Sequence, residues 1–348
     1  MAASEPARSE SGAALPTRRT PAARVMAVAE RLLFVAGVVL FVVLVQRLGV
    51  AAVWDNVRMI GWGFILVLAQ EGVAFLANTT GWRFAFPPPR PPVRFRQLLA
   101  ARMAGESINN LTPTATIGGE VVRGRMLEGV VEASAAWASI AIAKLMQTFA
   151  QMGFVFLGLL FVVRGTPLPE TFERGLFIGL IVLTSGLLVG IFMQRRGMFG
   201  AGGRLAGRLG IRLPERLQQQ LARLDEEIAR FYAAPAAFAL SVLGFFVGWC
   251  MGVVEVYIVL TFLEAGATLQ RAMTIEILSV AFDALLFFVP AKAGTQEGGK
   301  VLIFQILGLD PAKGLALGII RRLRELTWSM AGLVVLARHH ARQRAAQR

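Results

Sequence analysis

Two stretches of the chain set acids and bases at matched distances from a central proline, inside otherwise apolar sequence. The first reads ESINNLTPTATIGGEVVR over 106–123, and the second reads DALLFFVPAKAGTQEGGK over 283–300. Glu106 lies seven residues before Pro113, and Asp283 lies seven before Pro290. Glu120 and Glu297 lie seven after their prolines, and Arg123 and Lys300 follow those glutamates by three. Further on, Lys144 stands as far beyond Glu120 as Arg321 stands beyond Glu297. One constant offset relates all five pairs, which reads as an internal repeat. A glutamate and a base three residues apart share one helical face and can pair there. A charge in hydrocarbon costs about 2.5–3.5 kcal/mol on insertion scales, so these groups should pair or face water. Two roles are open to them. They neutralise each other and fix two loops, or the bases bind an anionic head group while the glutamates pair, gate or carry protons. Asn109, Asn110 and Gln296 add neutral donors and acceptors. The glycines at 118, 119, 294, 298 and 299 permit tight turns, or a nest of backbone N–H groups facing a phosphate. Lys292, at the tip of the second stretch, has Ala115 as its counterpart.

Further polar groups interrupt the apolar runs. Lys144, Gln147 and Gln151 form one helical stripe. Arg321 and Glu325, four apart, are a candidate structural pair, and Arg322 and Arg324 extend the polar path. Glu71 and Glu255, each deep in apolar sequence, are candidate partners for these bases. Trp62, Trp82 and Trp328 read as interfacial anchors.

The elements that must position these residues are membrane spans. Of 348 residues, 55% are hydrophobic and 17% charged, and the mean hydropathy is +0.60. That composition indicates a polytopic membrane protein. A net charge of +14 would suggest nucleic acid in a soluble protein. Here the arginines gather in loops, which points to topology and to anionic phospholipid at the cytoplasmic face, with no nucleic-acid partner. Spans are expected at 28–48, 59–79, 135–163, 174–194, 236–263 and 314–337. Segments 97–127 and 270–309 are apolar but broken. Basic residues cluster in the N-terminal region, in 83–96, in 195–230 and in the tail, placing both termini in the cytoplasm. For the crossings to close, each broken segment must begin and end on one side. The expected fold is all-α: about six transmembrane helices plus two re-entrant hairpins forming an inverted-topology repeat. Two complete crossings in each broken segment satisfy the same charges. The expected organisation is a disordered cytoplasmic 1–27, a first membrane half 28–194 with hairpin 97–127, a connector 195–235, a second half 236–337 with hairpin 270–309, and a basic tail 338–348. Within the connector, Leu217, Leu221, Leu224, Ile228 and Phe231 recur at helical spacing, as in an amphipathic helix at the cytoplasmic surface.

Enzyme signatures are missing. There is no P-loop, nucleophile elbow, HExxH or aspartate-rich pair. Both histidines, His339 and His340, lie in the tail, and Cys250 is the lone cysteine. No metal, cofactor or enzymatic reaction is expected.

The run NNLTPTATIGGEVVR at 109–123, with PAKAGTQEGG at 290–299 and RRLRELTW at 321–328, resembles the flippase-like integral membrane family. That family is related to the transmembrane flippase region of lysylphosphatidylglycerol synthases. The resemblance covers nearly all of 28–337, and from 254 to Trp328 it is closest to the hopanoid-biosynthesis-associated branch. Its motif falls on Asn109, Asn110, Pro113, Gly119, Glu120, Arg123, Pro290, Gly294, Glu297 and Gly298. The family's second loop is usually richer in glycine, where this chain has Ala291, Lys292 and Ala293. The resemblance implies a protein that moves a lipid, a hopanoid or a phospholipid, between leaflets of a bacterial inner membrane. Arg123, Lys144, Lys300 and Arg321 are expected at its head group. A membrane-embedded enzyme or accessory protein of isoprenoid lipid synthesis is the alternative, and a scaffold protein a third reading.

Overall fold

The computed structural model describes residues 50–111, 117–165, 170–208, 214–285 and 294–346, together with Val39, Val42, Val43, Gln46 and Arg47, which are helical. Twelve named helices follow: α1 (Val50–Met59), α2 (Gly63–Phe84), α3 (Phe95–Leu111), α4 (Ile117–Met126), α5 (Ala133–Gly165), α6 (Glu170–Arg195), α7 (Met198–Arg208), α8 (Glu215–Tyr232), α9 (Pro235–Phe262), α10 (Leu269–Leu285), α11 (Thr295–Ile306) and α12 (Pro311–Ala346). Among the described residues there is no strand, only an isolated bridge between Glu128 and Val131. The expected all-α membrane fold is borne out at that level.

Among the described residues, four helical stretches are long and apolar enough to cross a membrane: Gly63–Phe84, Ala133–Leu159, Phe177–Arg195 and Pro235–Phe262. They correspond to the expected spans at 59–79, 135–163, 174–194 and 236–263. The expected span 28–48 lies almost wholly outside the described residues. The span expected at 314–337 is part of α12, whose 36 residues make a rod about 54 Å long. Its arginines and glutamates keep it from reading as uniformly apolar. The two broken segments are each a pair of helices, α3 with α4 and α10 with α11. Their tips, 112–116 and 286–293, lie outside the described residues, and with them Pro113, Pro290 and Lys292. With 10 and 12 residues, α4 and α11 reach only about 15 and 18 Å. Neither can cross a hydrocarbon core of about 30 Å alone.

The chain starts α9 with Pro235 at the first helical turn, where a missing N–H costs nothing. Gly294 precedes α11 with φ 70, a left-handed backbone that a side chain would strain. The central contact is α2 on α9. A Cβ on Gly244 would lie 2.5 Å from the Gly81 nitrogen, a Cβ on Gly248 would strike Asn78, and one on Gly63 would strike Phe262. The partners rise along one helix as they fall along the other, so α2 and α9 run antiparallel. The offset that relates the two motifs also carries α2 onto α9, α3 onto α10, α4 onto α11 and α5 onto α12. The packing follows the same exchange. On α12, Gly332 abuts Met103 and Ser107 of α3, while Gly158 of α5 abuts Ile277 of α10. One buried cluster centres on α9–α12 with Val256, Leu260, Ile277, Phe304 and Ile320. The other centres on α2–α5 and α9 with Trp82, Leu98, Ile142 and Phe245.

In α8, Ile228 and Phe231 are fully buried in this second cluster. The C-terminal part of the expected amphipathic stripe, Leu224, Ile228 and Phe231, therefore lies against the helical bundle. Asp225 on α8 accepts the Phe199 N–H at 3.1 Å and the Gly200 N–H at 2.7 Å. A carboxylate on these free donors caps the start of α7. On α6, Ile178, Ile181, Val182, Leu188, Val189 and Phe192 face outward without protein cover. In a membrane protein that is a lipid-facing surface. A cleft of about 270 Å³ separates the ends of α4 and α12, lined by Val122, Arg125, Met126 and Glu128 on one side and Leu336, His339, His340 and Gln343 on the other.

Candidate functional site

The first motif forms a tight helical hairpin. A Cβ on Gly119 would overlap the Gly105 carbonyl oxygen, so α3 and α4 touch backbone to backbone there. The Gly119 N–H donates to Asn109 Oδ1 at 2.8 Å, holding the start of α4 against α3. Arg123 then crosses above Gly105. It donates to Glu120 at 3.0 Å and to Glu106 at 2.8 Å. The expected Glu120–Arg123 pair is present, and Glu106 joins it from the facing helix. Asn110 donates to Ser329 Oγ of α12 at 3.3 Å, tying the hairpin to the last helix.

The second motif forms a larger network. Glu297 accepts from Arg322 at 3.2 Å, and Arg322 also reaches Glu325 at 3.2 Å. Gln296 donates to the other Glu325 oxygen at 3.1 Å. Arg321 bonds Glu276 at 2.7 Å and Glu255 at 2.9 Å. Arg324 bonds Glu255 at 2.7 Å and Glu71 at 2.8 Å. Glu71 and Glu255 thus do partner these bases, and they meet across the α2–α9 contact. Glu71 lies within electrostatic reach of Glu106, so the two motifs adjoin in one polar seam.

Several expectations change. Glu297 does not pair with Lys300, because α12 crosses α11 at Gly318, against the Glu297 backbone, and offers Arg322. Lys300 is 1% exposed, within reach of the charges on Asp283, Glu276 and Glu325. Arg321 does not pair with Glu325, because the α10 and α9 carboxylates Glu276 and Glu255 take it. Lys144, matched to Arg321 by spacing, has an exposed side chain on α5, whereas Arg321 is buried. Asp283 is half-buried on α10. Trp82 is no interfacial anchor. It is 1% exposed, stacks on Phe86, and donates to Ser139 at 3.1 Å. Trp328 is half-buried and packs on Phe75 and Gly72. Trp62, 66% exposed, suits an anchor.

Glu276 and Arg102 belong to the site and carry no motif of their own. Their signal is only a charge amid apolar sequence. The arginines expected to meet an anionic head are held by carboxylates. Five glutamates (71, 255, 276, 297 and 325) bond the three arginines of the second network. Several buried atoms there have no hydrogen-bond partner, among them Glu255 Oε1, Glu297 Oε2, Gln296 Oε1, Arg321 Nε, Arg324 Nε and Trp328 Nε1. Buried polar groups are normally satisfied, so this concentration singles out the seam as the candidate site.

Comparison with known proteins gives the family. A "UPF0104 membrane protein" of the archaeon Methanothermobacter thermautotrophicus is 24% identical over 330 residues, covering 88% of this chain and 94% of that one. No solved structure matches. The family model described as the lysylphosphatidylglycerol synthase TM region matches residues 28–332, which takes in both hairpins and every charge of the seam. A multi-pass membrane chain matched over that length belongs to the family of the lysylphosphatidylglycerol synthase transmembrane region.

Proposed function

We propose that this protein moves a lipid with an anionic or polar head, a hopanoid or a phospholipid, between leaflets of a bacterial inner membrane. Both termini face the cytoplasm, and the lipid is moved without covalent change. One observation carries the reading: carboxylates from the matched helices α2 and α9, Glu71 and Glu255, grip the same Arg324 where those helices run antiparallel. Matched helices of opposite direction are what an inverted-topology repeat requires. Such repeats can exchange conformations and open one polar site to either side. The short α4 and α11, each folded back on a longer helix, support the re-entrant form of the two hairpins. Irregular backbone at membrane depth survives where it is buried in protein or lines a wet cavity. The lipid head would pass along the polar seam while its chains stay in hydrocarbon. Glu120 and Glu297 change partners or protons during the passage.

The test is lipid movement in proteoliposomes of the purified full chain. Wild type should speed exchange of a head-labelled phospholipid between leaflets, and mass spectrometry should recover the lipid unaltered. Glu297→Gln should slow exchange at least tenfold. Its dependence on a pH gradient should vanish in Glu120→Gln and Glu297→Gln. Exchange no faster than in empty vesicles would sink the proposal, and a new lipid product would favour an enzyme.

A further inference from the structure

Arg102 stands apart from every other buried arginine of the seam. It lies on α3, one turn before Gly105, and is 5% exposed. Among the described residues it has no ion pair and no hydrogen bond, and its Nε is sealed from solvent. Its guanidinium faces the Phe245 ring of α9, 5.8 Å from the ring centre. Glu106 and Glu120 lie within electrostatic reach, but both carboxylates bond Arg123 instead. Arg123 is itself a nearby positive charge. A buried cation beside another cation, with its carboxylates taken, is an arrangement that folding alone penalises. Helix packing does not demand it. The matched position in the second half is Ser279, equally buried, whose hydroxyl donates to the Ile275 carbonyl at 2.7 Å.

We propose that Arg102 is the docking group for the phosphate of a lipid head, entering between α3, α4 and α9. The inference rests on the lipid-moving reading and supplies its anion contact. A guanidinium presents parallel N–H donors that fit two phosphate oxygens at once. Phe245 holds its plane from one side. The carboxylates of Glu106 and Glu120, both bonded to Arg123, repel an anion that comes past Arg102 toward them. Only the half of the molecule that carries Arg102 offers this contact. The half that carries Ser279 does not.

The experiment measures thermal stabilisation and affinity of the detergent-purified full chain with three probes: phosphatidylglycerol, diacylglycerol of the same acyl chains, and inorganic phosphate. Arg102→Lys, Arg102→Gln and Arg102→Met are compared with wild type. Phosphatidylglycerol should bind wild type at least tenfold more tightly than it binds Arg102→Gln or Arg102→Met, with Arg102→Lys between. Diacylglycerol should bind all four alike. Without lipid, Arg102→Met should melt no lower than wild type, since it removes an unpaired buried charge. A structural role predicts the opposite, with Arg102→Met melting lower and all probes weakened together. Undiminished phosphatidylglycerol binding by Arg102→Gln would overturn the assignment. Stabilisation by inorganic phosphate and not by phosphatidylglycerol would overturn the lipid as occupant. If binding depends on Arg102 but wild-type vesicles show no lipid exchange, transport fails and the site stands. Exchange with binding indifferent to Arg102 is the reverse result.

Discussion

Glu255 has no exposed surface and bonds two arginines, Arg321 and Arg324, which come from one face of α12. Removing one partner of a buried ion pair leaves the other charge uncompensated, at a cost of about 3–5 kcal/mol. Arg321 keeps Glu276 and Arg324 keeps Glu71 when Glu255 is neutralised, so Glu255→Gln should lower the melting temperature of the purified protein measurably but by less than that equivalent. Glu170→Gln, which breaks the exposed pair with Arg174, should leave it unchanged. A comparable loss in both would mean the seam is no more structural than the surface. These residues also show how far the sequence was legible. Glu120–Arg123 could be read because its partners sit on one helix turn. Glu71 and Glu255 could be read as partners for bases because a lone acid deep in a span needs one. Arg321–Glu276 and Glu297–Arg322 could not, since both pairs depend on how α12 crosses α10 and α11. The i,i+3 and i,i+4 partners were near, but helices from elsewhere in the chain brought carboxylates with better geometry.

Among the elements, the α2–α9 contact is the most tightly specified. Gly244→Val would push a branched side chain into the Gly81 backbone. Overpacking of this kind costs about 1–3 kcal/mol. Gly153→Ala on α5 meets nothing within 4 Å and should leave stability unchanged or slightly improved, because alanine favours the helix. Thermal melts of the two variants check the contrast. At the far end of α12, burial holds the His339 imidazolium below its ordinary value of 6.5, helped by His340 and Arg342. Well above that ordinary value the ring is neutral both folded and unfolded, and contributes nothing. As pH falls through it, the unfolded chain takes the proton first, so stability is lost. His339→Gln should flatten the acid side of the stability–pH curve, and an unchanged slope would show that His339 is not its source. The four apolar spans in α2, α5, α6 and α9 were legible from length alone, whereas α1 and α7 carried no such signal and only part of α12 was expected, as a span at 314–337. There the charged turn 321–325 interrupts the run, although the helix continues through it without a break. The amphipathic pattern of α8 was legible as well, but not what its apolar face meets, because water, lipid and protein select the same pattern.

Across the whole molecule, the constant offset could be read from five positions, and the order of α2–α5 and α9–α12 follows it. What spacing could not give is the inequality of the halves. Arg321 is buried where Lys144 is exposed, and Arg324 corresponds to Gln147. The larger charge network draws all its members but Glu71 from the second half, so two exchanging conformations would differ in energy. The proposed inverted arrangement predicts that cysteines placed at Ala115 and Ala293, with Cys250→Ala as background, react with an impermeant thiol reagent from opposite sides. Reaction of both from one side would exclude it. A last consequence follows from the length of α12. The helix carries the arginine cluster near Arg322 and runs on unbroken to the cleft at His339 and His340. From Arg322 to His340 is about 27 Å of rigid helix. A tilt of about 10° pivoting at the arginines would therefore swing the histidines by about 5 Å. The helix is a lever arm, and the cleft beside α4 is where a rearrangement deep in the bilayer would be magnified into a displacement at its surface.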